Sequence, residues 1–572
     1  MIKHVITGRW QTLAEMLAHY AEAAGERVFI RAFEKDRVVE ELTYEGAWQL
    51  ALRWAALLRA QGVGAGTPVI LALPNGVDFI GAYFGTLAMG GVPASAAPLR
   101  HILNEDAYVR RIAERARFVR AGAVIVPPAQ AELGTLPDIA ATGAVVLTRE
   151  QLPGDGPDLL RVGSPEEVGL MQFTSGTSGK SKAVLLSHRA LFANIQMIAR
   201  GLQLTNNDDD SALSWLPLFH DMGLIGYILT PAALAGTVNL MQTEDFMMRP
   251  ALWMRLLSET KATITGAPPS ALSITARRTK DAEVAALDLR HVRVILVGAE
   301  QVNIESVELF AERFAPAGLR KFALMPTYGM AENCLAVTMP TPGDEPTFDT
   351  LDLKALAEGR VVRVSAGGDG TLSRAFALLG HPMGGVKIKI VDENGQTLGV
   401  DQVGEVVLHS PSVMSGYYQQ PEETTAVLRD GWLYTGDLGY LRADGQLVMT
   451  GRKKEVLIVG GRNYYPDDIE EVVARVEGVR MGANVAFSYF DPERTTEAIA
   501  VVAETGLSDP AARDALVLQI RKVVSGAGFP VSTVVLAPGK AIKSTANGKL
   551  MRFDTRERFL AGEFGPVAVG VR

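Results

Sequence analysis

Cysteine is all but missing: Cys334 is the single one in 572 residues. That excludes an intramolecular disulfide framework and any metal site built from several cysteines. A long hydrophobic run is missing as well. Nothing approaches the run of about 18 apolar residues that a membrane-spanning helix needs, and the apolar stretch 69–73 is soon broken by Pro74, Asn75 and Asp78. The opening MIKHVITGRWQTLAEML has neither a long apolar core nor a small-residue cleavage site, so a soluble, cytoplasmic chain is expected. Positive charge is not in excess. Lys and Arg number 56 against 64 Asp and Glu, a net charge of −8, which argues against a general nucleic-acid binder. What is present is ordinary globular composition, 48% hydrophobic and 21% charged. The length suggests roughly four units of about 150 residues. The 57 glycines point to many tight turns or close backbone approaches.

Helix-like and strand-like segments alternate over the first three quarters. Residues 42–61 carry apolar side chains at helical spacing, 69–73 read as a short buried strand, and 77–89 return to helical spacing. The pattern recurs at 183–186, 191–202 and 292–297. Such alternation predicts α/β layers with largely parallel strands. A composition break spans 339–376, where turn residues surround one weak helical segment. A second break falls at Gly451-Arg452-Lys453-Lys454. After it, 456–459 reads as a strand, and Pro466-Asp467-Asp468 as a helix start, with proline early and acids in the first turn. Ile469, Val472, Val473 and Val476 then fall on one helical face. A large N-terminal domain over 1–451 and a small C-terminal domain over 452–572 are therefore expected, with residues 562–572 a loose tail.

Five segments carry candidate chemistry. Thr174, Ser175, Gly176, Thr177, Ser178, Gly179, Lys180, Ser181 and Lys182 form a small, hydroxyl-rich, glycine-containing run with two cations. Backbone N–H groups can approach phosphate oxygens closely there. A Walker loop would need glycine at position 174, which is Thr, so that motif fails. A flexible surface loop reads the same way. His220-Asp221 sits inside the apolar stretch Trp215-Leu-Pro-Leu-Phe-His-Asp-Met-Gly-Leu224, where it could border a substrate or be a satisfied core histidine. Tyr328-Gly329-Met330-Ala331-Glu332 offers a carboxylate for Mg²⁺, which takes one or two carboxylates plus phosphate oxygens. It is also what a helix N-terminus looks like. Asp437, in Tyr434-Thr-Gly-Asp-Leu438, could accept hydrogen bonds from sugar hydroxyls, and Arg452, which follows in Gly451-Arg452, could steady the same sugar or a phosphate; a β-turn and a surface arginine are the alternative. The polar loop 543–549, ending in Lys549, could deliver a charge to a reacting phosphate, or be merely solvated.

In this order and at these separations, the five segments resemble the acyl-adenylate-forming superfamily over about residues 10–560. The form WLPLFHDMGLIG, the sequence GRNYYPDDIE after the hinge, and an extra stretch at about 342–377 make the chain similar to the fatty acyl-AMP ligases. The resemblance implies an α/β fold: a large adenylation domain of layered α/β subdomains plus a small mobile α+β domain. It implies ATP and Mg²⁺ as cofactors. It implies activation of a fatty acid to acyl-AMP, then transfer to the phosphopantetheine of a separate acyl carrier protein, or of a polyketide or peptide synthase carrier domain. No nucleic acid or membrane span is involved. Residues 174–182 would wrap the β- and γ-phosphates. Gly298, Ala299, Glu300 and Tyr328 would hold adenine, with Gly329 and Met330 near the α-phosphate. Glu332 would ligate Mg²⁺, Asp437 and Arg452 would bind ribose, and His220 would border the acyl carboxylate. Lys454 would be the hinge and Lys549 the lysine bridging carboxylate and α-phosphate. The 342–377 insertion would hinder the rotation or the pantetheine access that coenzyme A needs.

Four positions depart from the pattern. Ser181 and Asn547 replace a common Pro and Ser, position 543 lacks the usual Pro, and Gly461-Arg462-Asn463 replaces Gly-x-Arg. Three other readings remain. A coenzyme A synthetase would make acyl- or aryl-CoA. An amino-acid-adenylating domain would place Asp after the aromatic residue, where this chain has His220 after Phe219. A non-enzymatic binder would show decay at Lys549, Glu332 or Asp437, which are all present.

Overall fold

The computed structural model describes residues 10–99, 105–156, 161, 163–175, 181–204, 210–365, 373–459, 462–480, 482–491, 496–544 and 550–564. The alternation read from the sequence resolves into two seven-stranded sheets. One runs Leu324–Pro326, Val294–Val297, Ile264–Ala267, Ser211–Ser214, Thr237–Met241, Val28–Glu34, Arg37–Thr43. Its pairs are parallel except the last. The other runs Gly416–Tyr417, Ser181–Ser187, Val168–Ser175, Val92–Ser95, Pro68–Leu71, Ala123–Ile125, Val145–Leu147. It is parallel from Val168–Ser175 onward and antiparallel at the other edge. Central strands such as Pro68–Leu71 and Val294–Val297 are buried at every position, as strands covered on both faces must be.

The helix expected over 42–61 begins at Tyr44 and ends at Ala60. Thr43 takes the cap, its hydroxyl accepting from the Gly46 N–H at 3.0 Å, while Leu42 stays in the preceding strand. The helix Val77–Ala88 packs against it, and every residue of that second helix but Asp78 is buried. The contact is close because of Gly85: a Cβ there would lie 2.5 Å from the Ala51 carbonyl oxygen. Gly85→Val is therefore expected to force the helices apart and cost about 1–3 kcal/mol, the range for overpacking. A thermal melt reads the change directly.

Residues 387–452 form a five-stranded antiparallel sheet in which Leu447–Arg452 lies beside Trp432–Leu441. Beyond it come the hairpin Leu457–Val459/Arg462–Tyr464, the helix Pro466–Ala474 and the sheet Asn484–Asp491, Thr496–Glu504, Val531–Ala537. Ile469 and Val473 are buried on the face the helical spacing predicts and Val472 is half-buried, while Val476, also buried, lies just beyond the helix end.

The 342–377 stretch folds as an antiparallel hairpin, Phe348–Asp352 with Ser373–Ala377, carrying the short helix Leu353–Ala357. Its Leu351, Leu353, Leu356 and Phe376 share one apolar cluster with Tyr465, Ile469, Val473 and Ile499. Polar ties reach both ways. Asp349 accepts from Tyr440 Oη at 2.6 Å and from Arg363 Nε at 3.0 Å, and pairs with Arg442. Arg374 pairs with Asp468, and its Nε lies 3.0 Å from Glu471. The hairpin is thus fastened both to the sheet that ends at Arg452 and to the helix Pro466–Ala474. Among the described residues no helix is long and apolar enough to cross a membrane.

Candidate functional site

A cleft of about 630 Å³ opens between the two large sheets and the strands 432–452. Strand register explains much of its wall. Val168–Ser175 and Ser181–Ser187 pair antiparallel up to Thr174 opposite Lys182 and Ser175 opposite Ser181. The phosphate-type run thus lies between two paired antiparallel strands. Gly176, Thr177, Ser178, Gly179 and Lys180 lie outside the described residues, while Thr174 and Lys182 line the cleft. Lys182 Nζ sits 2.6 Å from Glu423 Oε2 and 4.3 Å from the Tyr417 ring centre.

Glu332 follows the short strand Tyr328–Gly329 in a tight turn. Tyr417 donates to its Oε1 at 2.9 Å. Burial pushes the Glu332 carboxyl above its ordinary range. Across the cleft Asp437 and Arg452 are register partners on neighbouring strands, with Nε 3.0 Å from Oδ1. The Asp437 charge holds the Arg452 guanidinium above its usual value. Tyr328 Oη donates to Asp437 Oδ2 at 2.6 Å. The phenol proton is held well above its ordinary pKa by burial and by that carboxylate.

Gly298 and Ala299 follow the strand Val294–Val297 and line the cleft, Ala299 with a left-handed φ of 67°. Glu300 turns elsewhere: its carboxylate accepts from Ser270 N at 3.3 Å and Ser270 Oγ at 3.1 Å. Gly329 and Met330 line the cleft. His220 does too, its Nδ1 2.7 Å from Asp221 Oδ1. Lys454 sits in the turn Lys453–Glu455 and faces the same cleft. Lys549 lies outside the described residues. Of the residues flanking it, Ser544 and Leu550 form a β-bridge, and Arg552 just beyond is tied to Glu455 Oε2 at 2.5 Å, next to Lys454.

Sequence reasoning missed several wall residues. Gln172 donates from Nε2 to the Phe219 carbonyl at 2.7 Å and so anchors the His220 segment to the strand Val168–Ser175. A lone amide within Leu170-Met171-Gln172-Phe173 was the available signal. Tyr417, Glu405 and Arg429 carried none: they meet the cleft only through long-range pairing. Ile198, Met222, Leu296, Leu335 and Met339 give part of the wall an apolar lining. Among the described residues no group of three or more His, Cys, Asp or Glu is placed to hold a metal ion by itself.

Comparison with known proteins gives consistent likenesses. A family model described as "AMP-binding enzyme" matches residues 17–418. A Caulobacter vibrioides protein named as an acyl-CoA synthetase is 34% identical over 93% of this chain and 92% of its own length. The long-chain-fatty-acid–AMP ligase FadD26 of Mycobacterium marinum is 31% identical over 93% of this chain and 94% of its own. Among solved structures, one from a study of fatty acyl-adenylate ligases of E. coli and L. pneumophila superposes with a TM-score of 0.89. It is 28% identical and covers 97% of this chain and 99% of that one.

Proposed function

The chain belongs to the AMP-binding enzymes, as an acyl-adenylate-forming ligase whose structural neighbours are fatty acyl-AMP ligases, and from that premise we propose that it activates a fatty acid with ATP and passes the acyl group to the thiol of a separate acyl carrier protein. The observation that carries this is a single cleft joining a charged wall to an apolar one. Lys182, Glu332, Asp437 and Arg452 face it alongside Ile198, Met222, Leu296 and Leu335.

In this reading the apolar wall takes the acyl chain and His220 borders its carboxylate. The turn 174–182 receives the β- and γ-phosphates. Asp437 and Arg452 hold ribose; Tyr328 and the backbone of Gly298, Ala299 and Glu300 flank adenine; Gly329 and Met330 sit by the α-phosphate. Glu332 fits Mg²⁺ as one carboxylate that shares the ion with phosphate oxygens, the arrangement this hard cation favours. Bound there, the ion would neutralise phosphate charge. Lys549 brings a cation to the point where two anions must meet, so that a carboxylate oxygen can attack the α-phosphorus as its bond to pyrophosphate breaks. Rotation near Lys454 would then present the adenylate to the thiol. The hairpin 348–377, fastened on both sides of that hinge, favours a carrier over coenzyme A.

Mass spectrometry of products from ATP, Mg²⁺ and a ladder of fatty acids tests the proposal. Acyl-AMP that persists with coenzyme A and is consumed by a phosphopantetheinylated carrier is expected. Ready conversion to acyl-CoA would replace the carrier reading with the synthetase one, which the name of the Caulobacter relative favours. Asp437→Ala is expected to raise KM for ATP roughly ten- to hundredfold with a smaller effect on kcat. Hydrogen bonds to charged groups contribute about 1.5–3 kcal/mol, and steady-state kinetics checks the split.

A further inference from the structure

We propose that Tyr227 sets the depth of the acyl site, its ring forming the partition that limits how long an acid the enzyme activates. This rests on the reading of the cleft as a fatty-acid site. Tyr227 belongs to the helix Met222–Leu229, wound wider than an α-helix: the Thr230 N–H reaches back to the Ile225 carbonyl, five residues away. Met222 and Gly226 of that helix line the main cleft. Tyr227 instead lines a second, small cavity of about 40 Å³, whose other walls include Leu202, Leu204, Leu234 and Ile264. Gly226 and Leu296 line both. Gly226 and Leu296 are therefore shared wall between the cleft and a second apolar space, with Tyr227 on the far side.

The position of the ring depends on Gly266. A Cβ there would lie 2.2 Å from Tyr227 Oη and 2.9 Å from Met222 Cε, so only glycine leaves the slot that the phenol fills. Tyr227 is 1% exposed, and its hydroxyl has no hydrogen-bond partner among the described residues. Among the described residues no hydrogen bond ties the side chain down. What it gives the wall is volume, and volume is what fixes the reach of an apolar chain. With the ring removed, the two spaces join toward Leu202 and Leu234, and methylenes that had no room gain an apolar wall.

The test is the acyl-AMP ladder run on wild type, Tyr227→Ala, Tyr227→Leu and Tyr227→Phe. The Ala variant is expected to move the chain-length optimum upward. Each newly accommodated methylene should raise kcat/KM for longer acids roughly fourfold, equivalent to about 0.8 kcal/mol per buried CH₂. Tyr227→Leu guards against a poorly folded Ala variant and is expected to move the optimum the same way by less. Tyr227→Phe keeps the ring and keeps the optimum. An unmoved optimum in folded Ala and Leu variants, or a Phe variant that shifts as far as Ala, overturns the assignment. A wild type that forms no acyl-AMP from any fatty acid overturns the fatty-acid reading itself, and Tyr227 as its ruler falls with it.

Discussion

Lys549→Ala is expected to lower acyl-AMP formation by roughly 10²–10³-fold while thioester formation from supplied acyl-AMP stays near the wild-type rate. The magnitude is that of removing one preorganised charge aimed at developing transition-state charge. The asymmetry has a physical cause. Adenylation must bring a carboxylate against a polyphosphate, and the repulsion is greatest at the α-phosphate. Thiol attack on the finished mixed anhydride meets no such pair of anions. Single-turnover assays of the two half-reactions decide the matter. An equal fall in both, in a protein with an unchanged melt, would remove Lys549 from the adenylation step.

Breaking the buried ties of Arg374 is expected to loosen the C-terminal part and to admit coenzyme A. The Arg374 side chain is 9% exposed and that of Asp468 only 3%. Glu471 lies on the same guanidinium. Arg374→Ala leaves the buried Asp468 carboxylate without its cation, while Glu471 keeps Arg475 at 2.6 Å. Removing one partner of such a pair costs about 3–5 kcal/mol. Part of the loss should be local, seen as faster amide exchange in the helix Pro466–Ala474. Arg374→Met, which keeps more of the volume, separates lost charge from lost packing. Both variants should yield acyl-CoA where the wild type leaves acyl-AMP. A folded Arg374→Ala protein that still rejects coenzyme A would place the barrier elsewhere than in this hairpin.

Much of the fold was legible because its signals are local. Helical spacing in 42–61 and 77–89, and the proline and acids before Ile469, each predict an element that the structure contains within a few residues. The site was legible in part for the same reason. Asp437 and Arg452 stand in separate motifs, yet one strand turn makes them register partners. Glu300 illustrates the limit. It directly follows two cleft-lining residues, but Ser270, thirty residues earlier, draws its carboxylate away from them. Tyr417 and Glu405 could not be found at all. Nothing near them in sequence marks them, and only the pairing of distant strands brings them to the cleft. Nor did composition reveal that the segment after the second break shares its core with 342–377.

That shared core imposes an order on synthesis. Leu351, Leu353, Leu356 and Phe376 leave the ribosome about a hundred residues before Ile469, Val473 and Ile499, the side chains that cover them. At a translation speed of about 5–20 residues per second, these residues stay uncovered for several seconds while the rest of the cluster is made. The large sheets can close in that interval, but the hairpin cannot finish burying its apolar face. A chain stopped near residue 452 would carry that face permanently, whereas the last hundred residues made alone would lack the leucines that complete their own interior.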